Sequence, residues 1–406
     1  MKRKRLLQIN VTANWGSTGK IAEDIGKIAI SKGWESYIAY GRNMVESTSH
    51  LIKIGNYCDI LLHGMASRLF DVHGLCSKKA TMNFIKQIVE IKPDIIHIHN
   101  IHGYYINYEI LFKFLAKAEI PVVWTLHDCW PITGHCSHFE AVVCEKWKKE
   151  CNNCPQISSY PTSIFFDNSR KNYRLKKELF NNITKLTLVP VSSWLTGIIF
   201  ESFLAKKNIR TIHNGIDIEK FKPKYNDTIY QKLNIANRKI ILGVASVWTA
   251  RKGLNNFISL RSILPNNFSI ILIGINKKQL RSLPDGIIGI ERTNNIDELI
   301  EYYSTSDVFV NPTWEDTFPT TNIEALACGT PVITYRTGGS PEIIDETTGF
   351  VVEKGDIEAL SKSIIQICNK TNKDDIRIKC RKRAEALYNK DETFKKYIEL
   401  YESIIH

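Results

Sequence analysis

Short apolar runs alternate with helix-like patterns along the whole chain of 406 residues. In the first half these runs are RLLQINV, SYIAYG, DIIHIH, PVVWTLH and LTLVPVS, and in the second half they are KIILGVAS, FSIILIGI, GIIGIE, VFVNP and TPVITY. They are rich in Val and Ile and almost continuously apolar, which is typical of parallel strands covered on both faces. Between the first two runs, Ile21, Ile25 and Ile28 recur at helical spacing, and Gly33 is placed to end that helix. The pattern predicts an α/β protein with two doubly wound, Rossmann-like domains.

A polar, turn-rich segment, HNGIDIEKFKPKYND, separates the two series and marks the domain boundary. We therefore predict an N-terminal domain over residues 1–210, a C-terminal domain over 211–385 and a final helix over 386–406. One wide apolar stripe of that helix carries Phe394, Tyr397, Ile398, Tyr401 and Ile405. A face of this width must dock, and we expect it to cross back onto the N-terminal domain.

The composition, with 43% hydrophobic and 24% charged residues, is that of a soluble globular protein. The formal charge of +12 suggests an anionic partner, such as nucleic acid, an acidic membrane face or a phosphorylated substrate. A solvated basic surface explains the charge equally well. The basic N-terminus reads as a strand and not as a signal peptide, because Gln8, Asn10 and Thr12 interrupt its apolar run. Since no run of about 18 apolar residues occurs, we expect a cytoplasmic protein with reduced thiols.

The segment DTFPTTNIEALACGTP, residues 316–331, follows the strand-like run VFVNP and predicts a loop and then a helix from about Thr320. Backbone N–H groups at a helix N-terminus form a ready anion site, and here they belong to Thr320, Thr321 and Asn322. Asp316 and Glu324 bracket that site, and carboxylates accept hydrogen bonds from hydroxyl groups such as those of a sugar ring and a ribose. The alternative is an ordinary helix start in an α/β sheet.

This segment resembles the signature of the retaining glycosyltransferases of family 4, which have the GT-B fold of two Rossmann-like domains facing a cleft. The family pattern is a glutamate, a Gly-Phe-Gly-like turn, a second glutamate eight residues after the first, and then Ala-x-Ala-Cys-Gly-Thr-Pro-Val. Asp316 occupies the first acidic position, Phe318 the aromatic position and Glu324 the second acidic position. Asp316 is one methylene shorter than glutamate, and both glycines of the turn are absent.

Other segments resemble the family along nearly the full length. The turn from Gly16 to Gly19 is similar to the glycine loop near the donor phosphates, and His127 is similar to the histidine near the reacting sugar. The segments NGID, from Asn214, and GG…E…TGF, from Gly338, also match. Taken alone, a glycine in a turn after a strand or a lone histidine is more often structural.

Lys252 matches the family lysine that faces the nucleotide diphosphate. The arginine expected five residues earlier is absent, because Val247 stands there, and Arg251 is a candidate for the second positive charge. A solvated basic turn is the alternative for these two residues.

The resemblance implies transfer of a sugar from a UDP- or GDP-linked donor to a glycan or lipid-linked acceptor with retention of configuration, in bacterial polysaccharide biosynthesis. It implies that catalysis requires no cofactor. Charge develops on the leaving diphosphate, and Lys252, Arg251 and the helix N-terminus after Phe318 would stabilise it. No unambiguous nucleophile is present, so the resemblance suggests internal return, with the leaving phosphate assisting deprotonation of the acceptor. His127, Lys252 and Asp316 are the predicted catalytic residues.

Five of the ten cysteines lie between residues 129 and 154, directly after His127. Four of them, with the spacing C-x7-C-x6-C-x2-C, are Cys136, Cys144, Cys151 and Cys154. One C-x-x-C pair with two further thiols is compatible with a structural zinc ion, and redox-active thiols or plain buried cysteines are the alternatives. His135 or His138 would be able to replace a thiol. The stretch resembles a cysteine-bearing insertion, HDCWPITGHC, of a subset of these transferases, and we expect a loop staple beside the active site.

A basic helical stretch follows the cysteines and carries Arg170, Lys171, Arg174, Lys176 and Lys177. It predicts either peripheral contact with an anionic bilayer or a solvated face.

Two other classes of function compete with a transferase. The first is a zinc-containing nucleic-acid-binding protein, but nucleic-acid binding does not explain the motif at residues 316–331. The basic residues of this chain also lack the interleaved aromatic residues of a known nucleic-acid-binding module, so we expect no nucleic-acid partner. A dinucleotide-dependent oxidoreductase requires G-x-G-x-x-G, which G-S-T-G does not satisfy.

Overall fold

The structure, a computed structural model, describes residues 3–225, 228–235 and 238–405. The chain forms two compact units. Unit 1 comprises Met1–His213 and Asp391–His406, and unit 2 comprises Asn214–Lys390. The division falls at the first residue of the segment HNGIDIEKFKPKYND, whose last two residues, Asn226 and Asp227, lie outside the described residues.

Unit 1 is built on a parallel sheet of seven strands with helices between them. The strands are β1 (Arg5–Asn10), β2 (Glu35–Tyr40), β3 (His50–Lys53), β4 (Ile95–Ile98), β5 (Val122–Leu126), β6 (Leu186–Pro190) and β7 (Asn208–Ile209). The helices are α1 (Gly16–Ser31), α2 (Tyr57–Phe70), α3 (Lys78–Ile91), α4 (Tyr108–Ala118), α5 (Ser169–Asn181) and α6 (Ser193–Phe200). The strand order is β3-β2-β1-β4-β5-β6-β7.

Unit 2 is built on a parallel sheet of six strands. The strands are β8 (Lys239–Val244), β9 (Phe268–Ile273), β10 (Ile287–Ile290), β11 (Val308–Asn311), β12 (Val332–Tyr335) and β13 (Gly349–Val352). The helices are α7 (Thr228–Lys232), α8 (Leu254–Ile263), α9 (Lys277–Leu280), α10 (Ile296–Thr305), α11 (Thr320–Ala327), α12 (Ser340–Ile343), α13 (Ile357–Cys368) and α14 (Lys373–Tyr388). The strand order is β10-β9-β8-β11-β12-β13.

Both sheets reverse their strand order next to their first strand, between β1 and β4 in unit 1 and between β8 and β11 in unit 2. Two doubly wound α/β domains were predicted, and this fold class is confirmed. In open α/β sheets, ligands bind beyond the carboxyl ends of the strands at such a reversal. The loops after β1, β4, β8 and β11 are therefore the segments in which functional side chains are expected.

The last helix, α15 (Lys390–Ile404), packs on unit 1. Its buried stripe consists of Phe394, Tyr397, Ile398 and Tyr401, packed against Leu6, Ile95 and Val123. Two hydroxyls of this stripe reach the sheet: Tyr397 accepts from Thr125 Oγ1 at 3.0 Å, and Tyr401 contacts His97 Nδ1 at 2.6 Å. The expected docking of this helix on the N-terminal domain is confirmed.

Within the described residues, no helix combines the length and the apolar character that crossing a bilayer requires.

Candidate functional site

The two basic residues of unit 2 lie in the loop after β8, in a short 3-10 turn over Ala250–Lys252. Gly253 ends this turn with φ of +80°, and a Cβ at that position would lie 2.3 Å from the carbonyl oxygen of Pro312. Only glycine therefore lets the turn pack directly on the loop that follows β11. The Trp314 N–H donates to the Arg251 carbonyl at 2.8 Å and holds the two loops together.

This packing brings Lys252 and Asp316 into an ion pair, with Lys252 Nζ 2.7 Å from Asp316 Oδ2. Both side chains remain partly exposed, at 27% and 18%. Arg251 points its guanidinium at the same loop and donates from Nη1 to the Glu315 carbonyl at 2.9 Å. Because an ammonium has three N–H donors, Lys252 is able to keep its bond to Asp316 while it contacts an anion.

Helix α11 begins directly after this loop. Its N-cap residue, Pro319, makes no side-chain hydrogen bond to the helix, so no side chain caps the N–H groups of Thr320 and Thr321 from that position. Asn322 departs from its predicted role, because its N–H donates to the Pro319 carbonyl at 3.2 Å and its buried side chain accepts from Asn311 Nδ2 at 2.8 Å. The predicted anion site at this end of the helix is therefore reduced to the two threonine N–H groups.

The turn from Asp316 to Phe318 is held from two sides. Phe318 is 3% exposed, and its ring centroid lies 5.9 Å from that of Tyr388. Gly338, with φ of +51°, approaches so closely that a Cβ there would lie 1.7 Å from the Asp316 carbonyl oxygen, and the Gly339 N–H donates to the Thr317 carbonyl at 3.2 Å. The predicted Gly-Gly segment thus supports the turn that carries Asp316.

Glu324 lies one turn into α11 and accepts a hydrogen bond from the Tyr303 hydroxyl at 3.0 Å. Burial raises the pKa of Tyr303 well above its usual value, and the charge of Glu324 raises it further. The hydroxyl therefore stays protonated and keeps donating, which orients the Glu324 carboxylate.

In unit 1, the glycine turn follows β1 at the strand-order reversal. Gly16 opens α1 with φ of +66°, and a Cβ on Gly19 would lie 2.7 Å from Thr12 Oγ1. The N-terminus of α1 has no side-chain cap and no acidic residue in its first turn. This end of α1 therefore offers positive partial charge to an anion.

His127 follows β5, and its Nε2 lies 3.1 Å from His99 Nδ1. Gln8 donates its amide nitrogen to the Ala22 carbonyl, so the Gln8 amide oxygen accepts from His99 Nε2 at 3.1 Å. Neutral His99 then carries its proton on Nε2 and accepts from His127 Nε2. Burial lowers the pKa of His127 to about 4, so this imidazole is neutral near pH 7, with Nδ1 unprotonated.

A histidine–carboxylate pair follows the carboxyl ends of β4 and β5 and was not predicted. His102 Nε2 lies 2.7 Å from Asp128 Oδ2, and His102 Nδ1 lies 3.1 Å from the Tyr160 hydroxyl. Burial raises the pKa of Asp128, but His102, together with His138 and the Trp130 N–H, outweighs burial and brings the pKa to about 2. The cluster of histidines in HIHNIHG, at the end of a strand-like run, was the available signal.

The four predicted cysteines converge on one cavity, which is lined by Cys136, Cys144, Cys151 and Cys154 and also by His135, Phe139 and Trp147. A hydrogen bond from Cys136 lowers the pKa of Cys154 to about 7, whereas burial raises the pKa of Cys151 to about 11. Cys129 is buried, and its N–H donates to the Ser137 carbonyl at 2.9 Å. All ten cysteines lie in the described residues, and none of them forms a disulfide bond.

The cavity fits a thiolate-bound metal in the kind of side chains it contains. Across the residues that the structure describes, however, no group of three or more His, Cys, Asp or Glu side chains is arranged to hold a metal ion. His135 instead directs Nδ1 to the Asp71 carboxylate at 2.6 Å. Coordination by four thiolates would thus require these side chains to rearrange.

The predicted basic surface on α5 needs a correction. Lys176 is buried, donates to the carbonyls of Trp130 and Thr133 at 2.8 and 3.0 Å, and lies 3.4 Å from the Trp130 ring centroid. Burial lowers its pKa to about 7. Arg170 and Arg174 both pair with Glu150, so three of the five basic residues are committed to contacts within unit 1.

Two family models match the chain. Residues 66–220 match the model described as Glycosyltransferase Family 4, and residues 238–370 match the model described as Glycosyl transferases group 1. The chain is therefore a glycosyltransferase that resembles family 4 over residues 66–220. This glycosyltransferase is 25% identical to the putative colanic acid biosynthesis glycosyl transferase WcaC of Escherichia coli, over 98% of this chain and 100% of that protein. It is also 27% identical to the capsular polysaccharide biosynthesis glycosyltransferase CapM of Staphylococcus aureus, over 54% of this chain and 62% of that protein.

Solved structures show the same fold. Sucrose-phosphate synthase from Thermosynechococcus elongatus superposes with a TM-score of 0.75 at 17% identity, covering 99% of both chains. HepE of Anabaena, in complex with UDP, gives a TM-score of 0.66 at 15% identity and covers 98% of this chain and 100% of that one. The predicted GT-B fold is therefore confirmed. The matches support neither the nucleic-acid-binding nor the oxidoreductase alternative.

Proposed function

We propose that this glycosyltransferase moves a sugar from a nucleotide-diphosphate donor to a glycan or lipid-linked acceptor, with retention of anomeric configuration, in bacterial polysaccharide biosynthesis. The observation that carries the donor half of the proposal is the arrangement of Lys252, Asp316 and the N-terminus of α11. An ammonium and a helix N-terminus meet at the strand-order reversal between β8 and β11, where charge on a leaving diphosphate would be stabilised.

The other predicted residues take their roles around that centre. Glu324, oriented by Tyr303, accepts hydrogen bonds from donor hydroxyls, and Asp316 does so for the transferred sugar. Arg251 supplies a second positive charge in place of the arginine absent at position 247. In unit 1, the turn from Gly16 to Gly19 contacts donor phosphates and neutral His127 lies near the reacting sugar, as the family resemblance suggests.

Retention is proposed through internal return. The donor bond breaks on the face that the acceptor attacks, and a leaving-phosphate oxygen takes the acceptor proton. No step uses a metal ion. A neutral imidazole at position 127 suits this scheme, since it polarises or orients a sugar hydroxyl without adding charge.

Names of related proteins support the donor and acceptor classes. HepE of Anabaena has been solved with UDP and with UDP-glucose, which favours a UDP-linked donor over a GDP-linked one. One relative, from Campylobacter jejuni, is named as a transferase that acts on a sugar-diphospho-undecaprenol, at 25% identity over 47% of this chain. We infer a lipid-linked acceptor and peripheral contact with the cytoplasmic face of a membrane.

A structural zinc ion remains a proposal for the cysteine cavity. It would stabilise the loop after His127 and take no part in the transfer. The convergence of four thiols on one cavity supports it.

The decisive experiment is a screen of the purified chain for donor hydrolysis against a panel of UDP- and GDP-linked sugars. We expect release of nucleotide diphosphate from one donor class and none from NADH or nucleic-acid probes added as controls. For the active donor, proton NMR of the first product should show the anomeric configuration of the donor. Inverted product would reject the retaining mechanism, and a panel without any turnover or binding would reject the proposed donor class.

A further inference from the structure

Helix α2 exposes its apolar side chains and buries polar or small ones. Its buried residues are His63, Gly64 and Ser67, which are polar or small. Its outward stripe consists of Leu61, Met65 and Leu69, spaced four residues apart, with Leu62 beside them at 61% exposure. A surface helix normally buries its apolar stripe, so the folding of unit 1 does not account for these side chains.

Specific polar contacts hold the helix in this orientation. His63 Nδ1 lies 2.8 Å from Ser77 Oγ, and His63 Nε2 accepts from the Gly74 N–H at 3.1 Å. Asn56 and Asp59 form a capping box at its start. Rotating the leucines inward would break these buried bonds, and leaving buried polar groups unpaired is unfavourable.

The loop over residues 164–166 extends the same surface. Ile164, Phe165 and Phe166 are 62%, 71% and 53% exposed. The loop is tied to the end of α2, since the Ile164 N–H donates to the Arg68 carbonyl at 2.7 Å and the Phe166 ring lies 5.7 Å from that of Phe70. We call Leu61, Leu62, Met65, Leu69, Phe70 and residues 164–166 the apolar platform.

The segments that flank the apolar platform in the sequence carry more basic than acidic side chains. Arg68 lies on the exposed side of α2, and the exposed basic side chains in the flanking segments of the sequence, apart from Arg170 in its pair with Glu150, are Lys53, Lys78, Lys79 and Lys171. Exposed Asp167, directly after the loop, accepts from the N–H groups of Cys154 and Ser169. The one acidic residue in the sequence of α2, Asp59, is engaged in the capping box. An apolar surface whose flanking segments carry mainly Lys and Arg complements the interface of a bilayer that contains anionic lipids.

We propose that the apolar platform docks this chain on an anionic lipid bilayer, with the leucines of α2 and the two phenylalanines of the loop inserted at the headgroup boundary. The proposal rests on the proposed function in one respect, that a lipid-linked acceptor requires the enzyme to work at a membrane. A contiguous exposed apolar patch also suits a protein interface, and self-association is therefore measured in the test.

The test is co-sedimentation of the purified chain with phosphatidylcholine vesicles and with mixed phosphatidylcholine–phosphatidylglycerol vesicles. We expect binding to the mixed vesicles that weakens in high salt and on phosphatidylcholine alone. The double variant Leu62→Gln, Phe165→Ser should bind about tenfold or more weakly, since two apolar insertions are lost. The matched control is Ile378→Gln, Leu387→Gln, which removes two apolar side chains of α14 that are 54% and 48% exposed, and it should bind like wild type.

Equal vesicle binding by the double variant and wild type would overturn the proposal. The proposal would also be overturned if the wild-type chain did not bind vesicles but formed a dimer, measured by light scattering, and the double variant did not form that dimer. Donor hydrolysis in solution separates this proposal from the proposed function, because the platform variant should retain it. Vesicle binding without any donor turnover would leave the platform standing and reject the transferase mechanism.

Discussion

Replacing Lys252 by alanine tests the charge at the centre of the candidate site. The ammonium lies 2.7 Å from Asp316, so the variant removes one positive charge and also leaves a carboxylate unmasked beside the expected diphosphate. Both effects act more strongly as the sugar bond breaks, because charge on the leaving group then rises. We expect kcat at saturating donor to fall about a hundredfold or more, which is about 2.7 kcal/mol of transition-state stabilisation.

The stability of the fold should hardly change. The two side chains are 27% and 18% exposed, and a partly solvated pair contributes at most about 1 kcal/mol to the free energy of unfolding. For a unit of this size that is a fall in Tm of about 2–4 °C. A hundredfold loss of rate with a nearly unchanged melting curve therefore reports on catalysis and not on unfolding.

The assay is the initial rate of nucleotide-diphosphate release across a range of donor concentrations, with the donor found in the screen. Arg251→Ala is the matched control, because the Arg251 guanidinium is already engaged with the Glu315 carbonyl. A small loss of rate in Arg251→Ala would leave Lys252 and the N-terminus of α11 as the main anion site. A Lys252→Ala, Asp316→Asn double variant, measured with both single variants, gives the coupling of the pair, expected at about 0.5–3 kcal/mol. Near-wild-type kcat for Lys252→Ala at saturating donor would refute the electrostatic mechanism.

Three further measurements test the remaining assignments. Glu324→Ala should weaken donor binding by about 1.5–3 kcal/mol through loss of a charged acceptor, and Tyr303→Phe should weaken donor binding less. Both affinities are measured by titration calorimetry, and an unchanged affinity of Glu324→Ala would reject the proposed contact of Glu324 with the ribose. The pKa of Cys154 is about 7 and that of Cys151 about 11, so iodoacetamide should alkylate Cys154 before Cys151 in chelator-treated protein. The rate of Cys154 alkylation should rise as the pH increases through neutrality. Preferential labelling of Cys151 would contradict the assigned thiol environments. Metal analysis of protein purified without chelator should find about one zinc per chain, and a metal-free chain that is folded and active rejects the zinc proposal.

The predicted strands and the strands missed by the prediction lie at different positions in the sheets. All ten apolar runs became strands. The three that were not recognised are β3, β7 and β13, and each is an edge of its sheet. An edge strand is covered less completely, so its sequence need not be continuously apolar. The two end residues of β3 are exposed and its two middle residues only partly buried, and β7 is two residues long.

Lys176 shows why charge pattern alone misplaced a residue. A lysine among four other basic residues was assigned to a basic surface. Yet it shares a stripe with Tyr173 and Phe180, which lie three residues before and four residues after it and are buried. Helical spacing thus carried the correct signal, but the partners that make burial tolerable, the carbonyls of Trp130 and Thr133, lie in a loop more than 40 residues away, where no local pattern would indicate them.

The same limit applies to His102 and Asp128. Each was visible in the sequence, but they are 26 residues apart, and their bond depends on β4 and β5 being neighbours in the sheet. Motifs report which residue types are present, and pairing across strands decides which of them act together.

Asp71 gives the cysteine loop a physical role that does not depend on zinc. This carboxylate follows α2 and is buried, and it accepts from His135 Nδ1 at 2.6 Å and from the Asn168 N–H at 2.7 Å. It therefore joins the end of α2 to His135, within the cysteine-bearing segment, and to Asn168, at the start of α5. A buried carboxylate shared in this way holds its partners in place, because separating them would leave a charge unpaired in the interior. Contacts within unit 1 thereby connect the end of α2 to the cysteine-bearing segment that follows His127.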